Sequence, residues 1–295
     1  MEKRTLLGLF AHPDDESFGP GGTLARYAAE GADVHVIIAT DGDAGSVEEN
    51  HKREDGRTLA QVRGEELAKA VIALGITSVW NLPYRDSGMR GSADNEHPRS
   101  LIQQPVESLT AELVDYIRRL RPQVILTHDP FGGYGHPDHI AAAKIARRAW
   151  EVAGDPTWRP SAGPAWLPKK LYEVRIPDSQ RDAVLALLES RGIESWWSEP
   201  KDVTAEELEK WRAWRAMMAC PDEIITTRID IRNQLGAKRR AIQAHATQIK
   251  SDGPLLLLSE DDQIALGARE QYRLLAHRLD VAPALPEKDL FAGLR

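Results

Sequence analysis

The stretch His12-Pro-Asp14-Asp15-Glu16 crowds an imidazole and three carboxylates into five residues, and His136-Pro-Asp-His139 carries two more imidazoles three positions apart. Carboxylates this close repel one another unless water or a cation lies among them. A hydrolytic zinc site takes three protein ligands from histidine and carboxylate and keeps a fourth position for water. His12 and Asp15, three apart, can reach one ion together from a tight turn. Pro137 suits the first position of a helix, which brings the rings of His136 and His139 to one edge of its first turn. One of them can complete a His–Asp–His set while the other faces a substrate. The chemistry open to such a site is hydrolysis, with a metal-activated water and a carboxylate to take its proton.

Each motif also has an ordinary reading. HPDD can cap a helix, with its acids favoured by the helix dipole, and HPDH can be a turn with a capping aspartate. What favours a metal is that both follow strands expected to be neighbours. The apolar runs "LLGLF", "ADVHVIIAT", "SVWNL" and "QVILTH" alternate with helical patterns over residues 23–30, 56–74, 106–120 and 137–151. Continuous rather than alternating apolar strands predict a mostly parallel sheet with helices on both faces, an α/β, Rossmann-like fold. Ligands of such sheets bind beyond the carboxyl ends of the strands, and each of the four ends carries acids or histidines: "AHPDDE", "TDGDAGS", "PYRDSGM" and "THDPFGGYGHPDH".

Beyond residue 153 the alternation weakens. "KKLYEVRI" and "EIITTRIDI" read as strands, residues 178–191 as a helix, and two closing helices are expected over 232–249 and 260–279. One domain over residues 1–295 is the expectation, with a Rossmann-like core at 1–153 and a less regular part at 154–295 that completes the substrate pocket. The 295 residues are 42% hydrophobic with a net charge of −7, which disfavours a nucleic-acid partner, since phosphate contacts need a basic face. No Gly-x-Gly-x-x-Gly follows the first strand, against dinucleotide binding. A single cysteine, Cys220, excludes an internal disulfide and a cysteine zinc site. No apolar run is long enough to span a membrane. These features lead us to expect a cytoplasmic protein with no membrane partner. A homo-oligomer remains open.

"AHPDDE" together with "GGYGHPDH" resembles the zinc-dependent PIG-L/LmbE-like N-acetylglucosaminyl deacetylases, which include the de-N-acetylase of GPI-anchor synthesis and deacetylases of mycothiol and bacillithiol biosynthesis. The likeness covers about the first 150 residues and extends loosely to "AHATQI" at 244–249, with no departure in either metal motif. It implies one zinc per chain, with iron(II) a possible substitute, held by His12, Asp15 and His139. It implies Asp14 as general base, and His136 as the group that stabilises the oxyanion or protonates the leaving amine. Tyr134 would lie over the acetyl carbonyl, and Arg63 and Asp86 would bind substrate. The substrate implied is an N-acetylglucosamine conjugate. Competing expectations are an amidase of thiol–sugar conjugates and a catalytically idle metal- or carbohydrate-binding module. The acids Asp41, Asp43 and Asp86 argue for a neutral conjugate. His128 is a candidate neighbour of the metal, Trp211 and Trp214 are expected in packing, and His35 and His51 at the surface. His245 has no role that the sequence suggests.

Overall fold

All six residues of β1 (Thr5–Phe10) are buried, as a continuous apolar run in a sheet covered on both faces requires. The computed structural model describes residues 3–47, 56–195, 197–249 and 254–294, so His51 and Trp196 lie outside the described residues. After β1 come a single turn α1 (Asp15–Phe18), then α2 (Gly21–Ala29), β2 (Asp33–Thr40), α3 (Leu59–Leu74) and β3 (Ser78–Tyr84). The chain continues through α4 (Val106–Leu120), β4 (Val124–Thr127), α5 (Pro137–Val152) and β5 (Lys170–Arg175). Then follow α6 (Asp178–Ser190), α7 (Ala205–Met217), β6 (Thr227–Asp230), α8 (Leu235–Ala244), α9 (Pro254–Leu257), α10 (Glu260–Ala265) and β7 (Arg269–His277).

The seven strands form one sheet in the order β3-β2-β1-β4-β5-β7-β6, with β1 to β5 parallel. Alternate residues of the central strands serve opposite faces. Leu6, Val36, Ile38 and Leu126 pack with Leu24, Leu67 and Leu235 of α2, α3 and α8. Leu7, Leu9, Ile37 and Ile125 pack with Leu113, Ile117 and Ile145 of α4 and α5. The expected α/β, Rossmann-like architecture is therefore present. The chain leaves β1 toward β2 and β3 on one side and returns as β4 and β5 on the other. The switch point of the sheet thus lies between β1 and β4, where open α/β sheets bind ligands. The segments that leave those two strands are the two histidine motifs.

Local chemistry sets the helix ends. Thr58 and Gln61 form a capping box that starts α3 at Leu59 rather than 56, and Gly75 closes it with φ +71°. His136 caps α5 by accepting the Asp138 N–H, with Pro137 in the first turn.

Two expectations are corrected. Residues 260–279 are not a helix: α10 ends at Ala265, Gly267 and Ala268 take φ +98° and +43°, and β7 enters the sheet antiparallel to β5 and β6. "REQYRLLAH" fits a strand because Glu270 and Tyr272, two apart, are both buried, and β5 needs a partner along its free edge. His35 is not at the surface. It is buried on β2 with its ring 5.7 Å from that of Trp80.

Candidate metal centre and active site

The turn after β1 folds back on itself, with Asp15 N–H donating to His12 O and the Asp15 carboxylate accepting the His12 N–H at 2.7 Å. Across the switch point, the first turn of α5 delivers His139. His12 Nδ1 and His139 Nε2 are 3.1 Å apart, His12 Nδ1 and Asp15 Oδ2 3.5 Å, and His139 Nε2 and Asp15 Oδ1 3.3 Å. Donors at about 2.0–2.1 Å from a tetrahedral ion are separated by roughly 3.3 Å. The spacing of these residues, with a different Asp15 oxygen facing each histidine, therefore fits a zinc-sized divalent ion. His128 Nε2 accepts the Ala11 N–H at 3.1 Å and faces Asp15 Oδ2 at 3.4 Å, and donor atoms of Asp15, His128 and His139 lie within 4.8 Å of one another.

Around His12, Asp15 and His139 sits a second layer that the sequence pointed to only in part. His12 Nε2 faces Asp138 Oδ2 at 3.3 Å and Asp86 Oδ1 at 3.4 Å. A carboxylate on the far nitrogen fixes the tautomer so that Nδ1 keeps its lone pair for a metal. Asp138, fully buried, also accepts the Ser87 N–H at 2.9 Å. The sequence offered it only as a capping aspartate, and in the structure the cap is His136 instead. The signal available was a carboxylate between two candidate ligands in one motif. Donor atoms of His12, Asp86, His136 and Asp138 all lie within 4.8 Å of one another, so the centre is wider than three ligands.

The charges of the cluster follow from burial and from one another. Burial lowers the His12 imidazole, but the carboxylates of Asp86, Asp138 and Asp15 outweigh it and hold His12 well above its ordinary range. A positive charge is favoured at that ring, which a divalent cation held beside it would also supply. Burial opposes ionisation of Asp15, yet the imidazoles of His139 and His128 hold it well below the carboxylate range. Burial likewise opposes Asp86, and His12 and the Gly88 N–H outweigh it. Burial drives His139 well below its ordinary range, against the pull of the Asp15 carboxylate, and takes His136 down to about 4, so the His136 ring is neutral. His136 Nδ1 accepts the Asp138 N–H, which leaves its proton on Nε2.

Asp14 is pushed up to about 6 by burial, against the pull of the Arg63 guanidinium, with Asp15 adding to the rise. Arg63, only 2% exposed, comes from the second turn of α3. It donates to Asp14 Oδ2 at 3.0 Å, to the Pro13 carbonyl at 2.7 Å and to the Gly42 carbonyl at 2.9 Å. The "DGDAG" turn wraps it so closely that a Cβ at Gly42 or Gly45 would sit 2.6 Å from Nη1. Glycine is needed at both positions.

Tyr134 lies on a loop whose neighbours Gly133 and Gly135 have φ +70° and +94°. Its ring is 5.2 Å from that of His139 and 6.0 Å from that of His136, and burial raises its phenol, which stays protonated. The Trp214 indole N–H donates to the Tyr134 carbonyl at 3.0 Å. Trp214 is thus anchored beside the site by α7. The structure brings together His12, Asp14, Asp15, Arg63, Asp86, Tyr134, His136 and His139, and adds Asp138, Glu16 and His245.

Comparison with known proteins shows the family of the chain. The family described as PIG-L: GlcNAc-PI de-N-acetylase matches residues 7–150. A 1D-myo-inositol 2-acetamido-2-deoxy-alpha-D-glucopyranoside deacetylase of Geodermatophilus obscurus is 40% identical over 99% of this chain and 98% of its own length. One of the same name from Acidothermus cellulolyticus is 39% identical over 99% of this chain and 95% of its own. In fold, the chain is similar to an N,N'-diacetylchitobiose deacetylase from Pyrococcus horikoshii, with a TM-score of 0.60, 19% identity, and coverage of 93% of this chain and 84% of that one. The chain belongs to the PIG-L family of N-acetylglucosaminyl deacetylases and is a metal-dependent hydrolase that removes the N-acetyl group from an N-acetylglucosamine-containing small molecule.

Proposed function

We propose that the substrate is a glycoside of 2-acetamido-2-deoxyglucose with a neutral polyol aglycone, inositol being the one in the names of the relatives. We propose zinc as the ion, with His12, Asp15 and His139 as its ligands. The observation that carries this reading is that His12 Nδ1 lies 3.1 Å from His139 Nε2 while one Asp15 oxygen lies 3.5 Å from the first and the other 3.3 Å from the second, near the edge length of a zinc tetrahedron. The neutral aglycone follows from the carboxylates of Asp14, Asp15, Asp86 and Asp138 in that cluster, which disfavour an anionic one.

A divalent ion held there would supply a Lewis acid for the amide carbonyl and would acidify the attacking water. The protein groups do the rest. Asp14, kept near neutrality in its ionisation, takes the proton of the attacking water and passes it toward the departing nitrogen. His136, neutral with its proton on Nε2, and the protonated phenol of Tyr134 donate to the oxygen on which charge develops. Arg63 is a positioning residue in this reading, because two of its nitrogens are already committed to protein acceptors. Asp86 helps to hold the sugar from the β3 side. Residues 1–295 act as one domain, with residues 154–295 completing the pocket through α7 and Trp214.

A panel of acetamido sugars on zinc-loaded protein tests this by the primary amine released. The inositol conjugate is expected to exceed free N-acetylglucosamine and any phosphorylated conjugate in kcat/KM. Preference for a phosphorylated conjugate removes the neutral-aglycone reading.

A further inference from the structure

His245 and Glu16, which the reaction above leaves unused, form a fully buried pair with Nε2 2.8 Å from Oε1. They are far apart in sequence, and His245 lies in the "AHATQI" segment, just past the end of α8. The other oxygen of Glu16 accepts the Asp14 N–H at 3.0 Å. Asp14 itself has φ +143° and ψ −28°, a backbone conformation that a side chain other than glycine rarely adopts. Such strain persists only where the surroundings over-determine it.

Those surroundings are visible on both sides of the peptide. Arg63 holds the Pro13 carbonyl and the Asp14 carboxylate, and Glu16 holds the Asp14 N–H. One helical turn from Arg63, Glu66 accepts both the N–H and the hydroxyl of Thr247, at 2.8 and 2.7 Å. Helix α3 thereby fixes Asp14 directly through Arg63. It also fixes the segment that carries His245, and through His245 the carboxylate on which Asp14 hangs.

We propose that His245 and Glu16 are positioning residues that hold the strained backbone of Asp14 so that its carboxylate faces the metal cluster. This rests on Asp14 as the general base. A purely structural pair would tie α8 to α1 without regard to the conformation at residue 14.

The test uses full-length, zinc-loaded protein and two readouts. His245→Leu should lower kcat about 10-fold or more, the scale of a small misplacement of a reacting group. KM should stay within about 2-fold and zinc at one per chain, since the ligands are not touched. His245→Gln, which keeps a donor, should recover part of the loss. His245→Ala, which removes the donor without adding an apolar branch, is the probe if His245→Leu does not fold. Unchanged kcat in a folded, zinc-loaded His245→Leu or His245→Ala protein overturns the proposal. The second readout needs no activity. Asp14→Gly should melt higher than Asp14→Ala, reversing the usual order, because only glycine takes φ +143° freely. That advantage should shrink when His245→Leu or His245→Ala is added, since residue 14 can then relax. An advantage of undiminished size overturns the proposal. If the parent protein hydrolyses no acetamide, the assignment of Asp14 as base fails, and the melting comparison still decides whether His245 holds its backbone.

Discussion

Arg63 and Asp14 meet at 3.0 Å in a setting where the guanidinium is only 2% exposed and two backbone carbonyls share its remaining reach. The cation lowers the pKa of the Asp14 carboxyl against burial, which still leaves it pushed up to about 6. Arg63→Gln removes that pull, so the Asp14 pKa rises and the base becomes protonated at higher pH. The acidic limb of kcat/KM should move upward in pH, with the larger loss of activity below neutrality and metal content unchanged. A KM effect with an unmoved limb would instead mean that Arg63 grips the sugar.

His139→Ala should lose the ion and the activity together. Two ligands remain at His12 and Asp15, too few for a stable zinc site. Elemental analysis after exhaustive dialysis checks this, with about one ion per chain in the parent and far less in the variant. Full occupancy in His139→Ala would place the ion elsewhere in the cluster, beside His136 or Asp86.

Asp138→Ala removes the carboxylate 3.3 Å from His12 Nε2 without touching a proposed ligand. Metal affinity is expected to fall about 10–100-fold, the usual cost of losing such a partner, while activity at saturating metal recovers much of its value. A competition titration with a chelator measures it. Unchanged affinity would mean that Asp86, on the same nitrogen, orients the ring alone.

Lys170 and Glu287 pair at full burial, and Tyr172 donates to the same carboxylate at 2.6 Å. Lys170→Met leaves that carboxylate buried and uncompensated, which should cost about 3–5 kcal/mol by denaturant unfolding. Lys170→Met with Glu287→Leu should recover part of it. A single variant as stable as the parent would show that Tyr172 suffices for Glu287.

The parts of the fold and site that were legible in the sequence are those written within a few residues of one another. Four parallel strands show as continuous apolar runs, and the groups at their ends show as motifs, because a parallel sheet gathers its strand ends along one edge. Strand β7 was not legible, because "REQYRLLAH" suits a helix equally well and only pairing along β5 and β6 decides it. Glu16 with His245, and Trp214 with the Tyr134 carbonyl, join residues distant in the chain, and no periodicity encodes them. The confinement of Arg63 had a faint signal in the glycines at 42 and 45, whose reason appears only with the guanidinium between them.

The central claim is that Asp14 acts on a water beside an ion it does not bind. The most direct measurement is the initial rate of amine release from the N-acetylglucosamine–inositol conjugate by the parent and by Asp14→Asn, each verified to hold one zinc per chain. The amide is nearly isosteric with the carboxylate, so the ion should stay while turnover falls about 10²–10⁴-fold, the range of a lost general base. Turnover by zinc-loaded Asp14→Asn at the parent rate, or loss of the ion on that substitution, would contradict it.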